Sequence, residues 1–401
     1  MFIVKSARIY TERGLLNGGL LIDGSTIRKL LSSEQLTAYQ SLEMIDYHHQ
    51  IIIPGIIEMH VHGYKGWYAM SPKEEDLHKL SLALATSGVT AFTPTNHLRT
   101  DIFANHQAIA SCMRQKRQGA RILGIHMEGP FISKERLGSV VLSEICDPDL
   151  KLMQKFYDTA EGHITTVTLA PELPGNAEII DFCNEHAINV CLGHTNANYQ
   201  EAKKAIDMGA IISQKTGNCM RPMHQRDLGV VGAVLLDHRI YNEINSDLRH
   251  TSADFLELCY RLKGKDKLCI IADGGVMSGM PVGEYNLPER GKYTVGADYL
   301  LRDSRGIFDG STKHILFGMQ NWVSVIGIPM EEAVVMAALN PAKVLKIDHQ
   351  KGSIKEHKDA DFTVINENFD VLATYVEGNK VYDRYDGVQY ENQEYLNYRC
   401  Q

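Results

Sequence analysis

Two histidines close the run IIIPGIIEMHVHG, His60 and His62, with one residue between them. Residues two apart on an extended strand face the same side, so both imidazoles can converge on one divalent ion. Three more polar residues stand at the ends of strand-like apolar runs: Glu128 in GIHMEGPFIS, His194 in VCLGHTNANY and Asp273 in LCIIADGGVMSG. An ionised carboxylate after so apolar a run needs a partner, which a metal or a substrate proton would supply. Each residue alone could be structural. Together they spell a hydrolytic metal centre, where an ion lowers the pKa of water toward about 7 and a carboxylate carries the proton to the leaving group.

Such residues need strands to aim them. Between residues 51 and 345 apolar runs (TAFTPT, RILGIHMEG, ITTVTLAPE, INVCLGHT, AIISQ, YNEINS, LCIIADG) alternate with amphipathic segments such as DLHKLSLALATSG and NAEIIDFCNEHA. That alternation predicts an α/β fold, a (β/α)8-type barrel whose catalytic groups gather at the C-terminal ends of its strands. Residues 1–50 and 346–401 read instead as short strands with turns. Neither stretch is long enough to be stable alone, so the two chain ends are expected to share one small β-sandwich domain.

Composition narrows the function. The chain has 401 residues, 44% of them hydrophobic, and a net charge of −8. That argues against a nucleic-acid surface, while a few local cations could still hold one phosphate. The start, MFIVKSARIYTERG, lacks the apolar stretch of a signal peptide, and no run of about 18 apolar residues marks a membrane helix. A soluble, cytoplasmic protein is expected. The eight cysteines are scattered without a CxxC pair and read as buried thiols.

The order of these motifs, with VTLAPE, NCMRPMHQRDLGVVGA and GSIKEHKDADFTVI, resembles the N-acetylglucosamine-6-phosphate deacetylases of the amidohydrolase superfamily over almost the whole chain. The resemblance implies a metal-dependent enzyme that cleaves the acetamide of N-acetylglucosamine 6-phosphate, and a homodimer as the usual assembly. It implies a divalent ion (zinc, iron, manganese or cobalt), with one expected in this sequence rather than two. Glu128 and His194 would be ligands, His60 and His62 ligands of a second or alternative position, and Asp273 the proton carrier. Substrate would be met by Asn218, Cys219, Arg226, His250, Ser139, Phe308, Asp309 and Gly310.

One position departs from that pattern. Where the family carries a third metal-binding histidine, this sequence has Lys215, in SQKTGNCMRPMHQRDLG. A protonated lysine cannot ligate a cation. Three readings follow. One ion sits among His60, His62, Glu128 and Asp273 while Lys215 pairs with a carboxylate or the substrate; or Lys215 is neutral and acts as ligand or base; or the ammonium replaces a metal and hydrolysis is weak or absent. Smaller departures are Glu58 for an aspartate, Val140 for a substrate-contacting histidine, and Trp67 and Tyr68 where smaller or acidic residues are common.

Overall fold

The structure, a computed structural model, describes residues 1–401 apart from 100, 289, 290, 389 and 401. Eight parallel strands form the barrel: β1 (Ile56–Val61), β2 (Val89–Asn96), β3 (Ile125–Glu128), β4 (Ile164–Leu169), β5 (Asn189–Leu192), β6 (Ala210–Ser213), β7 (Tyr241–Asn245) and β8 (Leu268–Ile271). Each pairs with the next in chain order. The ring closes where Val61 bridges Gly274 in parallel and the Gly274 carbonyl accepts from the amides of His62 and Gly63. Glu58 fastens the same seam from within. One carboxylate oxygen accepts from the amide of Ala272 at 3.0 Å and the other from the amide of His60 at 3.2 Å.

Helices cover the outside because each presents one apolar face. In Tyr199–Asp207 the buried positions are Ala202, Ala205 and Ile206, and Asn198 caps the first turn by accepting from the amides of Gln200 and Glu201. In Leu150–Thr159 the buried positions are Met153 and Phe156, and Asp149 is the cap. The strands are buried on both sides, as expected of a parallel sheet under helices.

The flanking domain is an eight-stranded sheet drawn from both chain ends. Phe2–Thr11 is its hub, paired with Gly14–Asp23, Met44–Asp46 and Ile51–Pro54. The C-terminal strands Phe362–Ile365, Val371–Val376 and Asn379–Asp383 join through Ile51–Pro54. Residues from both ends of the sheet, including Leu20, Ile22, Phe362 and Tyr375, share one apolar core.

Two boundaries differ from expectation. The run IIIPGII looks like one barrel strand but is two: Ile51–Pro54 belongs to the flanking sheet, and the barrel begins at Ile56. Gly55 makes the break possible, since a β-carbon there would lie 2.2 Å from the Thr90 hydroxyl oxygen. The end of the chain also leaves the flanking domain. The Tyr390 carbonyl accepts from the Trp67 indole at 2.9 Å, Glu391 pairs with Lys65 at 2.8 Å, and the amide of Cys400 donates to the Glu284 carbonyl. The last of these contacts reaches an antiparallel sheet of four short strands between Gly283 and Ser311, inserted after β8, which the alternation of the sequence did not signal.

Candidate active site

Six strand ends build the floor. β1 carries His60 and is followed by His62, β2 runs into His97, and β3 ends on Glu128. His194, Lys215 and Asp273 each come two residues beyond β5, β6 and β8. These last three have left-handed backbones, with φ of 46°, 29° and 51°. For residues other than glycine that conformation costs on the order of 1–3 kcal/mol each, and such strain gathers where side chains must be aimed. Gly310 supports Asp273 from the inserted sheet: at φ 97° it approaches so closely that a β-carbon would lie 2.4 Å from the Asp273 carbonyl oxygen.

Glu128 is the hub, and its two oxygens face different company. Oε1 accepts from the Lys215 ammonium at 2.7 Å and lies 2.9 Å from His194 Nε2. Oε2 lies 3.3 Å from His62 Nε2 and 3.2 Å from His97 Nε2. Asp273 completes the floor, with Oδ1 3.2 Å from His60 Nε2 and 3.6 Å from His62 Nε2, and Oδ2 3.6 Å from the Lys215 ammonium. Behind His60, Nδ1 lies 3.2 Å from the buried Glu243 carboxylate, a backing that fixes a ligand's tautomer and raises its basicity. Behind His194, Nδ1 donates to the Arg136 carbonyl oxygen at 2.9 Å.

The charges sustain one another. Burial alone would raise the Glu128 and Asp273 carboxyls, but Lys215 with His194 and His97 outweighs it for Glu128, and Lys215 with His60 and His62 for Asp273, so both stay well below the usual carboxylate range. Burial would likewise strip the Lys215 proton, yet Asp273 and Glu128 hold it on, and its pKa lies above the ordinary value. His60 follows the same logic and is pushed up to about 10. His97 goes the other way: burial dominates, and its pKa falls to about 3. The neutral-lysine reading therefore has no support here.

A metal can be tested against these atoms. A tetrahedral ion with bonds of about 2.0–2.1 Å spaces its ligand atoms by roughly 3.3 Å. Among the described residues three groups come close enough to share an ion: His60, His62 and Asp273; His60, His126 and Glu243; and His62, His97 and Glu128. In the first and third the imidazole nitrogens lie 3.2–3.6 Å from the carboxylate oxygen, close to that spacing, and both groups border the cavity. The second is sealed, and His126 is engaged by the Met59 carbonyl at 3.0 Å and the Thr168 hydroxyl at 2.9 Å. The position shared by Glu128, His194 and residue 215 does not fit a divalent ion, because an ammonium stands in it. Thus His60, His62 and Glu128 are gathered as expected, while His194 lies with Lys215 and joins none of the three groups.

Above the floor opens a cavity of about 580 Å³. Seven of the eight residues expected to meet substrate line it: Ser139, Asn218, Cys219, His250, Phe308, Asp309 and Gly310. The eighth, Arg226, does not; it lies exposed on the outer loop beside Asn198, Tyr199 and Gln200. The two aromatic residues part company, Tyr68 lining the cavity and Trp67 bound to the C-terminal segment. His97 and Glu243 escaped the sequence reading. His97 follows an entirely buried strand, the same strand-end signal that marked the others, and Glu243 is a carboxylate inside an apolar strand.

Comparison with known proteins places this arrangement. The amidohydrolase family model matches residues 51–291 and 293–381. The chain belongs to the amidohydrolase family. Within it the chain is 32% identical, over 82% of its own length and 85% of the relative's, to an N-acetylglucosamine-6-phosphate deacetylase of Lysinibacillus sphaericus. It is 29% identical to an N-acetylgalactosamine-6-phosphate deacetylase of Escherichia coli O157:H7, over 82% and 87% of the two chains. The crystal structure of the N-acetylglucosamine-6-phosphate deacetylase from Pasteurella multocida superposes with a TM-score of 0.88 at 30% identity, covering 94% of this chain and 99% of that one. Amidohydrolases of this superfamily are metal-dependent, which agrees with the ligand groups on the floor. Among the described residues no helix is long and apolar enough to cross a membrane.

Proposed function

We propose that this amidohydrolase removes the acetyl group of N-acetylglucosamine 6-phosphate, giving acetate and glucosamine 6-phosphate. The observation that carries the reading is the position of Asp273: a carboxylate held ionised at the foot of a cavity walled by Asn218, Cys219 and His250, with imidazoles on one side and an ammonium on the other. A divalent ion (zinc, iron, manganese or cobalt) bound by the floor would supply Lewis acidity to the acetyl carbonyl and to water.

The residues supply the rest. Asp273 takes a proton from the attacking water as its oxygen bonds to the acetyl carbon. It then delivers that proton to the sugar nitrogen as the C–N bond breaks, leaving acetate and the amine. The Lys215 ammonium, at the cavity's edge, can donate to the acetyl oxygen as charge builds there. His250 has its Nδ1 held by Asp247 at 2.8 Å, which leaves Nε2 for the phosphate. The proposal includes a cytoplasmic homodimer. In that dimer Arg226, remote from its own cavity, would reach substrate only across the interface.

The test is acetate release from N-acetylglucosamine 6-phosphate by purified protein, chelated and then reloaded with each metal in turn, with the galactosamine epimer assayed beside it. Metal-dependent release from the first substrate is the expected result; release from the epimer alone would reassign the sugar. Lys215 favours one other reading, a homologue that binds sugar phosphate without cleaving it. Binding with no release under any metal would establish that reading and overturn ours.

A further inference from the structure

The metal position in this chain is open to a sharper statement, which rests on its being a metal-dependent amidohydrolase. Lys215 occupies the Oε1 side of Glu128, so a divalent ion cannot share that oxygen without facing an ammonium 2.7 Å from it. On the Oε2 side stand His62 and His97. Their rings stack at 4.8 Å with planes 10° apart, and each points Nε2 at Oε2, from 3.3 and 3.2 Å. The Nδ1 atoms of both rings are buried without a hydrogen-bond partner among the described residues. Apart from Glu128 and the stacked His62, no contact accounts for burying the His97 ring, whose unpaired Nδ1 makes that burial unfavourable.

His60 is the competing ligand. Its Nε2 lies 3.2 Å from Asp273 Oδ1 and 3.7 Å from Glu128 Oε1, the oxygen that Lys215 holds. We infer that His62, His97 and Glu128 hold the divalent ion of this protein, with His97 serving in place of the histidine that Lys215 displaced. Two imidazoles and a carboxylate with one side open to a cavity form a three-ligand set of the catalytic kind. His62 and His97 both line that cavity, so the free position faces the substrate. Asp273 is not among the three, which leaves its carboxylate to carry a proton. The site then sets two cations against Glu128, the divalent ion at Oε2 and the ammonium at Oε1.

The test is titration of chelated, full-length protein with Co²⁺, followed by its visible absorption and by metal analysis, with circular dichroism of the metal-free variants to confirm folding. Wild type should bind one ion per chain. His97→Asn should lose affinity by more than the roughly 10- to 100-fold that removing a supporting partner costs, and its Co²⁺ bands should change. Lys215→His should bind a second ion. A folded His97→Asn protein with unchanged Co²⁺ affinity and spectrum would overturn the inference, whether or not the protein releases acetate. Absence of deacetylation by wild-type protein that binds Co²⁺ as predicted would overturn the proposed reaction and leave the assignment of His97 standing.

Discussion

Two buried lysines in this molecule sit between two carboxylates, and only one of them is part of a site. Lys351, in the flanking domain, donates to Asp359 at 2.6 Å and Asp361 at 2.7 Å. Lys215, at the barrel mouth, meets Glu128 at 2.7 Å and Asp273 at 3.6 Å. In both places burial opposes the charge, and the carboxylates raise the lysine's pKa above its ordinary value. The carboxylates tell them apart. One ammonium shared by two aspartates leaves Asp361 raised, because burial outweighs the pairing. Around Lys215 several imidazoles add to the ammonium, and both carboxyls are driven down. Lys351 completes a closed cluster, in which Asp361 Oδ1 also accepts from the amide of Glu377 at 2.7 Å. Lys215 has a left-handed backbone and borders a cavity. A buried ion pair does not mark function; an excess of donors, strain and an open side do.

The contrast can be broken experimentally. The largest effect belongs to the site. Asp273→Asn should lower turnover by about 10²- to 10⁴-fold while calorimetry still detects sugar-phosphate binding; unchanged turnover would remove Asp273 from the mechanism. Next is Lys351→Ala, which strands two carboxylates and should cost about 3–5 kcal/mol of stability in denaturant unfolding. Its Co²⁺ affinity should match wild type, and a parallel loss of metal would mean that the two clusters are coupled.

Lys215→His should do the reverse, adding one ion per chain by metal analysis with a smaller change in unfolding. The smallest effect is a slope. Glu12 lies beside Lys355, Ser353 and Lys358, which bring its carboxyl from 4.5 down to about 2 although burial alone would raise it. A depressed acid stabilises the fold above its unfolded value and loses that contribution as pH falls through its folded one. Glu12→Gln should flatten the stability curve between about pH 4.5 and 2, and an unchanged acid limb would show the cluster to be idle.

The barrel, the shared β domain and five of the floor residues were legible in the sequence, because strand ends carry a local signal: an apolar run that stops on a polar residue. The boundaries were less so. IIIPGII has the composition of one strand, and only Thr90 packed against Gly55 reveals the break. The inserted sheet between Gly283 and Ser311 is short and polar on its outer face, so no period stood out. Arg226 fits a phosphate by chemistry, yet its loop points outward, which depends on tertiary placement alone. His97 obeyed the same rule as its neighbours. It was overlooked because the resemblance gave it no part, a reason to trust the local signal where the two disagree.

Glu58 spends one oxygen on the His60 amide of its own strand and the other on the Ala272 amide across the junction of β1 and β8. His60 and His62 ride on one lip of that junction and Asp273 on the other. The width of the joint therefore sets the bite of the catalytic jaws.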